Sequence, residues 1–265
     1  MTSLALLIVA LARAAPPHGA ANTVAFGSAR FSVYTPSVIR LEWSKNKTFD
    51  DAPSMTVVNR SPPTPAFTKA VSADGSTLTL KTTRVTLVYS RSGGDGDIGR
   101  ADCATLNVSI PAVDGGGGTT TWCPSMGMAP ASQRNLNGSL ETGDCYVGWA
   151  DCIDVYDQKM QPGVISRAVR TMMLLLLLLL VLTSLLQGYA VINDTSAVLL
   201  DKSTPKHAAW PDGWRRPRPH AAGSYTDLLF FGHGHDYRGA MADWRLVAGE
   251  IPLSPWRSTG VWWTR

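Results

Sequence analysis

The N-terminal part of the chain is patterned with a period of two. Val24 to Tyr34 alternates toward its end, with Phe31 and Val33 on one face. Ile39-Arg40-Leu41-Glu42-Trp43 sets apolar positions against charged ones, which predicts a strand with one buried and one wet face. Thr56 to Arg60 is a short third candidate. Phe67 to Val71 follows, then Ser72-Ala73-Asp74-Gly75, a hairpin turn signal. Thr77 to Thr82, Arg84 to Tyr89 and Leu106 to Ile110 continue the pattern, rich in Thr and Val and poor in helix formers. Short strands with frequent turns predict a mainly β fold, a β-sandwich.

The pattern changes near the C-terminal end, where strand, turn, helix, turn and strand follow one another. Asp227 to Phe231 closes an apolar run, and Asp236 stands where a helix N-cap belongs. Tyr237, Ala240, Met241, Trp244 and Val247 fall at helical spacing on one face, and Gly249 stops the helix. Val261, Trp262 and Trp263 start another buried strand. Trp244, Trp262 and Trp263 are assigned to the core.

Between these regions Met172 to Leu186 is almost wholly apolar and contains seven consecutive leucines, Leu174 to Leu180. With about 15 apolar residues it is short for a span that needs ~20. As a core helix it lacks a polar face. The preferred reading is an insertion over 169–187, a retained intron or gene-model error. A membrane-associating helix over 172–186 is the alternative.

Composition narrows the classes. Hydrophobic residues make up 45% of the 265 and charged residues 17%, which supports a sizeable core. A formal charge of +4 argues for neither nucleic acid nor an anionic membrane surface. Part of it gathers in Trp214-Arg215-Arg216-Pro217-Arg218-Pro219-His220, read as a solvated Pro-rich loop. Residues 1–15 resemble a signal peptide, with an apolar core from Leu4 to Ala12 and Ala12-Arg13-Ala14 as a small-x-small cleavage site. Sequons stand at Asn46, Asn107, Asn137 and Asn193, the glycosylation candidates; Asn59-Arg60-Ser61 is followed by Pro62 and is poor. In an oxidising compartment Cys103, Cys123, Cys145 and Cys152 allow two disulfides in three connectivities, the local one joining Cys103 to Cys123 and Cys145 to Cys152.

Several segments resemble glycoside hydrolase family 31, the α-glucosidase family. Phe231, Gly232, Asp236, Tyr237, Ala240, Asp243 and Trp244, then Pro252 to Pro255 and Gly260 to Arg265, resemble its F-x-G-x-x-Y-x-x-A-x-x-D-[FYW] segment and G-[YVF]-W-x-[ST]-R strand; here Gly232 directly follows Phe231 and stands five residues, rather than three, before Tyr237. Asn135 to Asp144 resembles N-L-G-G-T-L-x-T-x-D, and Pro162 to Ala168 resembles P-G-L-L-S-R-x. Gly188 to Thr195 is similar to G-W-A-x-x-D-D-[ST], displaced by the leucine run. Arg40-Leu41-Glu42-Trp43-Ser44 is a shorter echo of an early strand.

The resemblance implies a galactose-mutarotase-like sandwich over 22–205, a linker and helix over 206–250, and the first strand of a (β/α)8 barrel over 251–265. It implies an α-glucoside substrate and no metal or organic cofactor. It also implies that Asp144 lies on a loop reaching the substrate. Retaining glycosidases need a nucleophile and an acid/base about 5–5.5 Å apart. The family's W-x-D-M-N-E-like motif is absent from the sequence, so no catalytic residue is assigned and the chain is expected to be an inactive N-terminal fragment. The alternative function is a non-catalytic carbohydrate-binding sandwich.

Other chemistry is thin. His233-Gly234-His235 on a strand would put two ligands on one face, but no third ligand cluster is near, and Asp236 is explained as a cap. The glycine runs at 93–97 and 115–118 read as loops. No G-x-S-x-G, H-E-x-x-H or G-x-G-x-x-G occurs. No metal, cofactor or nucleic-acid partner is expected, and nothing sets an oligomeric state.

Overall fold

The computed structural model describes residues 22–91, 93–112, 118–127, 188–200 and 215–250. These are mainly β: two antiparallel five-stranded sheets and one helix, an arrangement consistent with a β-sandwich. The first sheet has the order β1-β2-β3-β12-β9, from β1 (Thr23–Phe26), β2 (Ala29–Thr35), β3 (Val38–Ser44), β12 (Tyr225–Phe231) and β9 (Ala190–Asn193). The second runs β4 (Thr68–Val71), β5 (Thr77–Lys81), β6 (Thr86–Ser90), β7 (Leu106–Pro111), β8 (Thr119–Trp122) as a meander. A small ribbon pairs β10 (Leu199–Leu200) with β11 (Arg215–Arg216). The helix α1 spans Tyr237–Ala248.

The main core lies between the sheets. Phe31, Ile39, Leu41, Leu228 and Phe230 from the first sheet meet Leu78, Leu80, Leu87, Val108, Ile110 and Trp122 from the second. Tyr189 stacks on Phe230 at 5.6 Å between centroids, and Trp122 lies at the same distance from that ring. A smaller apolar cluster forms on the opposite face of the first sheet. There Val38, Leu229, Phe231 and Ala190 pack against Val57 and, from α1, Val247 and Trp244. The first sheet is therefore covered on both faces.

Strand β12 joins the two ends of the sequence. It pairs antiparallel with β3 over its whole length, Tyr225 opposite Ser44 and Phe231 opposite Val38, and with β9 on its other side. The sandwich thus does not stop at residue 205; the expected linker over 206–250 supplies β12, an interior strand of the first sheet between β3 and β9. The stretch 56–60 is not a strand. Ser54 N–H donates to Val57 O (2.9 Å) and Val57 N–H to Ser54 Oγ (2.8 Å), closing a turn that lays Val57 on the second cluster.

The turn from β12 into α1 is tight for a stated reason. A Cβ on Gly232 would stand 2.6 Å from Ile110 Cγ2, so the backbone can approach the second sheet only without a side chain. Asp236 caps α1 by accepting the N–H of Gly239 (2.9 Å). Gly249, at φ +89°, ends it with its N–H on Arg245 O. Of the predicted apolar stripe, Ala240 and Val247 are buried and Trp244 is half-buried against Phe231. Tyr237 and Met241 stay exposed.

Cys103 and Cys123 form a disulfide that ties the loop before β7 to the end of β8. Cys145 and Cys152, Asp144, Asn137, the residues 1–15, the leucine run and 251–265 lie outside the described residues. Among the described residues no helix is long and apolar enough to cross a membrane.

Candidate functional site

Among the described residues, the outer face of the first sheet carries a large constellation of charge built by distant parts of the chain. The period-two pattern puts Arg30, Arg40, Glu42 and Asp227 on that face, opposite the core residues. Glu42 and Asp227 stand directly across from each other in the β3–β12 ladder, an arrangement that repels unless cations separate the pair. Arginines do so. Arg40 holds Asp227 with two bonds, Nε to Oδ1 (2.9 Å) and NH2 to Oδ2 (2.7 Å), and lies 2.9 Å from Glu42 Oε1. Arg30 clasps Glu42 through Nε (2.7 Å) and NH2 (2.9 Å), and reaches the half-exposed Asp51.

Two covering segments close the network. Arg60 donates to Asp194 Oδ2 (2.5 Å) and Asp227 Oδ2 (3.3 Å). Arg218 donates to the same two carboxylates at 2.6 and 3.1 Å. Ser54 Oγ donates to Asp194 (2.9 Å), and Tyr225 Oη donates to Glu42 Oε1 (2.8 Å). His220 stacks flat on Tyr225 with centroids 4.0 Å apart, its Nε2 3.1 Å from Asp50 Oδ2.

Two readings of the sequence are corrected here. The charged face of β3 is not wet: Arg40 and Glu42 are buried, as is every residue of the strand. The basic run is not simply a solvated loop either. The side chain of Arg218 is 4% exposed, while Pro217 and Pro219 beside it are exposed. Charged residues alternating with apolar ones give the same pattern whether the second face meets water or arginines.

Burial and charge compete at each carboxyl group. For Asp227 burial pushes upward, but the charge and hydrogen bonds of Arg40, then Arg60 and Arg218, outweigh it and hold the carboxyl well below the usual range. At Glu42 burial wins over Arg40, and the charge of Asp227 adds to it, so the carboxyl is raised. Asp194 is raised too, by burial and then by Asp227, against Arg60 and Arg218. Burial, Asp227 and Glu42 likewise raise the Tyr225 phenol, which keeps it a donor.

Each of the four guanidinium groups is bonded to carboxylates, and the space between Asp194 and Asp227 is filled by Arg60 and Arg218. A glycosidase pair needs that space for substrate. The network therefore clamps β3, β12, β9 and two loops together; it is not a hydrolytic centre.

The remaining candidates are scattered. His233 and His235 do not share a strand face: they occupy the turn after β12, His233 buried with Nε2 3.1 Å from Asp243 Oδ2, His235 exposed beside Tyr237. Asp243 also accepts from Thr35 Oγ1 (2.6 Å), tying α1 to β2. Among the described residues no group of three or more His, Cys, Asp or Glu is placed to hold a metal ion. Of the sequons, Asn46 and Asn193 are exposed and Asn107 is half-buried on β7.

Sequence reasoning missed Asp50, Arg60, Arg218 and Asp227 as members of one cluster. The available signal was Asp227 itself, a carboxylate at the head of an otherwise apolar run. A charge there needs a buried partner. No family model matches the chain, and no curated protein matches it.

Proposed function

We propose that these residues form the N-terminal, galactose-mutarotase-like sandwich of a secreted family 31 glycoside hydrolase of the α-glucosidase kind. One observation carries the reading. Three short segments singled out separately for their likeness to that family, 40–44, 188–195 and 231–244, lie far apart in sequence. The first two fall on β3 and β9, the strands on either side of β12, and the third starts at the last residue of β12, Phe231, and runs into α1. Chance resemblances have no reason to collect on neighbouring strands. Asp194 and Glu42, from two of these segments, also meet in the same charge network.

On this reading the domain does not perform the chemistry. Its carboxylates are neutralised by arginines, and the sequence holds no W-x-D-M-N-E-like nucleophile motif. Its roles are to brace the junction through α1 into a barrel beginning in 251–265 and to offer the loop carrying Asp144 to a neutral sugar. A carboxylate there accepts hydroxyl hydrogen bonds. The Cys103–Cys123 disulfide supports an oxidising compartment.

Sequencing the transcript from the codons of Pro162 to beyond Arg265 tests the proposal. The expected result is that the codons of 169–187 are spliced out and that the frame continues into a barrel with a W-x-D-M-N-E-like motif. A retained leucine run followed by a stop would sink it. Saturable maltose binding by the purified chain, lost in Asp144→Ala, would then favour a free-standing carbohydrate-binding sandwich.

A further inference from the structure

Three sequons lie on described residues, and the fold treats them differently. Asn107 sits on β7 between two hydrogen-bonded neighbours, half-buried, and the hydroxyl of its Ser109 donates to Thr86 O (3.3 Å). Asn193 is exposed, but its Oδ1 accepts the N–H of Thr195 (3.0 Å), and the hydroxyl of Thr195 is engaged by β12. That hydroxyl donates to Asp227 O (3.3 Å) and accepts from Asp227 N–H (3.0 Å). Asn46-Lys47-Thr48 is exposed at every position, in the turn that follows β3. The turn is held from its buried end: Lys47 N–H donates to Ser44 O (3.0 Å) and Thr48 N–H to Ser44 Oγ (3.1 Å). Its bonds therefore run through backbone N–H groups and Ser44, and the Asn46 carboxamide faces solvent with room for a bulky substituent.

We infer that Asn46 is an N-linked glycan acceptor and the principal one among the described residues. The co-reactant is an oligosaccharide carried on a polyprenyl pyrophosphate. A bond forms between Asn46 Nδ2 and the anomeric carbon, and the bond from that carbon to the pyrophosphate oxygen breaks. The pyrophosphate leaves with the electron pair, and the amide nitrogen gives up one proton to a base of the transferase. The Cys103–Cys123 bond is the second observation, since it belongs to the same oxidising compartment in which that transfer occurs.

The position is also selective. β3 runs from Val38, beside Phe231, to Ser44, beside Tyr225. At ~3.4 Å per residue this puts Asn46 about 20 Å from the end where β12 passes into α1. The inference does not depend on the hydrolase reading.

The test expresses the full 265-residue chain in a eukaryotic secretory host. The product is digested with peptide N-glycosidase in heavy-oxygen water, and conversion of each sequon Asn to labelled Asp is read by mass spectrometry. Asn46 is expected to convert in most molecules, with lower conversion at Asn107 and Asn193. Asn46→Gln and Thr48→Ala should each remove one glycan step in gel mobility while leaving the melting temperature of the deglycosylated protein unchanged. Unconverted Asn46 in the secreted protein, unaltered mobility of both variants, or recovery of the chain from the cytosol without glycan would each overturn the inference.

Discussion

The two sheets answer the same question, what to do with the second face, in opposite ways. In β5, β6 and β7 buried and half-exposed positions alternate cleanly: Leu78, Leu80, Leu87, Tyr89, Val108 and Ile110 point to the core, while Thr77, Thr79, Thr86 and Ser109 remain partly exposed. In β3 and β12 every position is buried. The first sheet is the middle layer of the molecule, so its outer face is solvated by the protein. Near α1 the covering is apolar; toward β3's far end it is ionic. An apolar face can slide, whereas bidentate arginine pairs fix distance and angle. The ionic half therefore sets the mutual position of segments that the sequence separates by up to 187 residues.

The strongest way to break this contrast is Asp227→Asn. It leaves Arg40, Arg60 and Arg218 buried without their shared carboxylate, which should cost about 3–5 kcal/mol in denaturant unfolding. Thr79→Ser on the second sheet should cost less than about 1 kcal/mol. Replacing both partners, Arg40→Met with Asp227→Leu, should recover much of the loss, since apolar pairs of similar volume often substitute for buried ion pairs. If Asp227→Asn costs no more than Thr79→Ser, the network does not hold the layer.

The pH dependence has a definite sign. Asp227 is depressed in the folded state. Its stabilisation is present above the ordinary carboxylate value of about 4 and is lost as pH falls below it. Glu42 and Asp194 are raised, so their contribution is present below about 4 and is lost as pH climbs through their folded values. Glu42 and Asp194 thus oppose Asp227 on acidification, so the check is the difference: from about pH 5 down to 2 the parent should lose stability relative to Asp227→Asn. Two exposed carboxyls act in the same sense as Asp227 in both proteins: Asp74, held down to about 2 by the hydroxyls of Ser72 and Ser76, and Asp102, lowered by its hydrogen bonds with Thr105.

The second sheet was legible because its pattern has one cause. Thr77 to Tyr89 alternates apolar with hydroxyl residues, and the hairpin at Asp74-Gly75 sets the register, so local sequence fixes both strand and facing. The helix was legible for the same reason: Asp236 and Gly249 are local signals. The outer face of the first sheet was not, because its partners lie elsewhere in the chain. Nothing near Arg40 announces Asp227, and nothing near Arg218 announces Asp194. Long-range charge pairing leaves no period in a sequence. Strand β12 was likewise recognised as apolar, but its place between β3 and β9 follows only from closure of the fold.

Smaller perturbations compare the staples of the two layers. Cys103→Ser with Cys123→Ser opens a link across 20 residues and should cost about 3 kcal/mol, lowering the melting temperature without moving the pH profile. Gly232→Ala forces Cβ against Ile110 Cγ2 and should cost about 1–3 kcal/mol. An unchanged melting temperature in either variant would show that the contact is slack.

The mildest change separates the two halves of the first sheet's cover. Asp236→Ala removes the side-chain cap on Gly239 N–H and should cost about 1 kcal/mol. The loss should be local. Amide exchange should accelerate in the first turn of α1, at Gly239 and Ala240, while the amides of Asp194 and Asp227, bonded to Asp227 O and Thr195 Oγ1 in the ionic half, keep their protection. The cap lies at the far end of α1 from the contacts that reach the network: Asn59, next to Arg60, bonds the carbonyls of Leu246 and Val247 in the last turn, whereas Asp236 holds the first. If the Asp194 and Asp227 amides lose protection together with α1, the apolar and ionic halves unfold as one unit, and the distinction between a cover that can slide and one that fixes register fails.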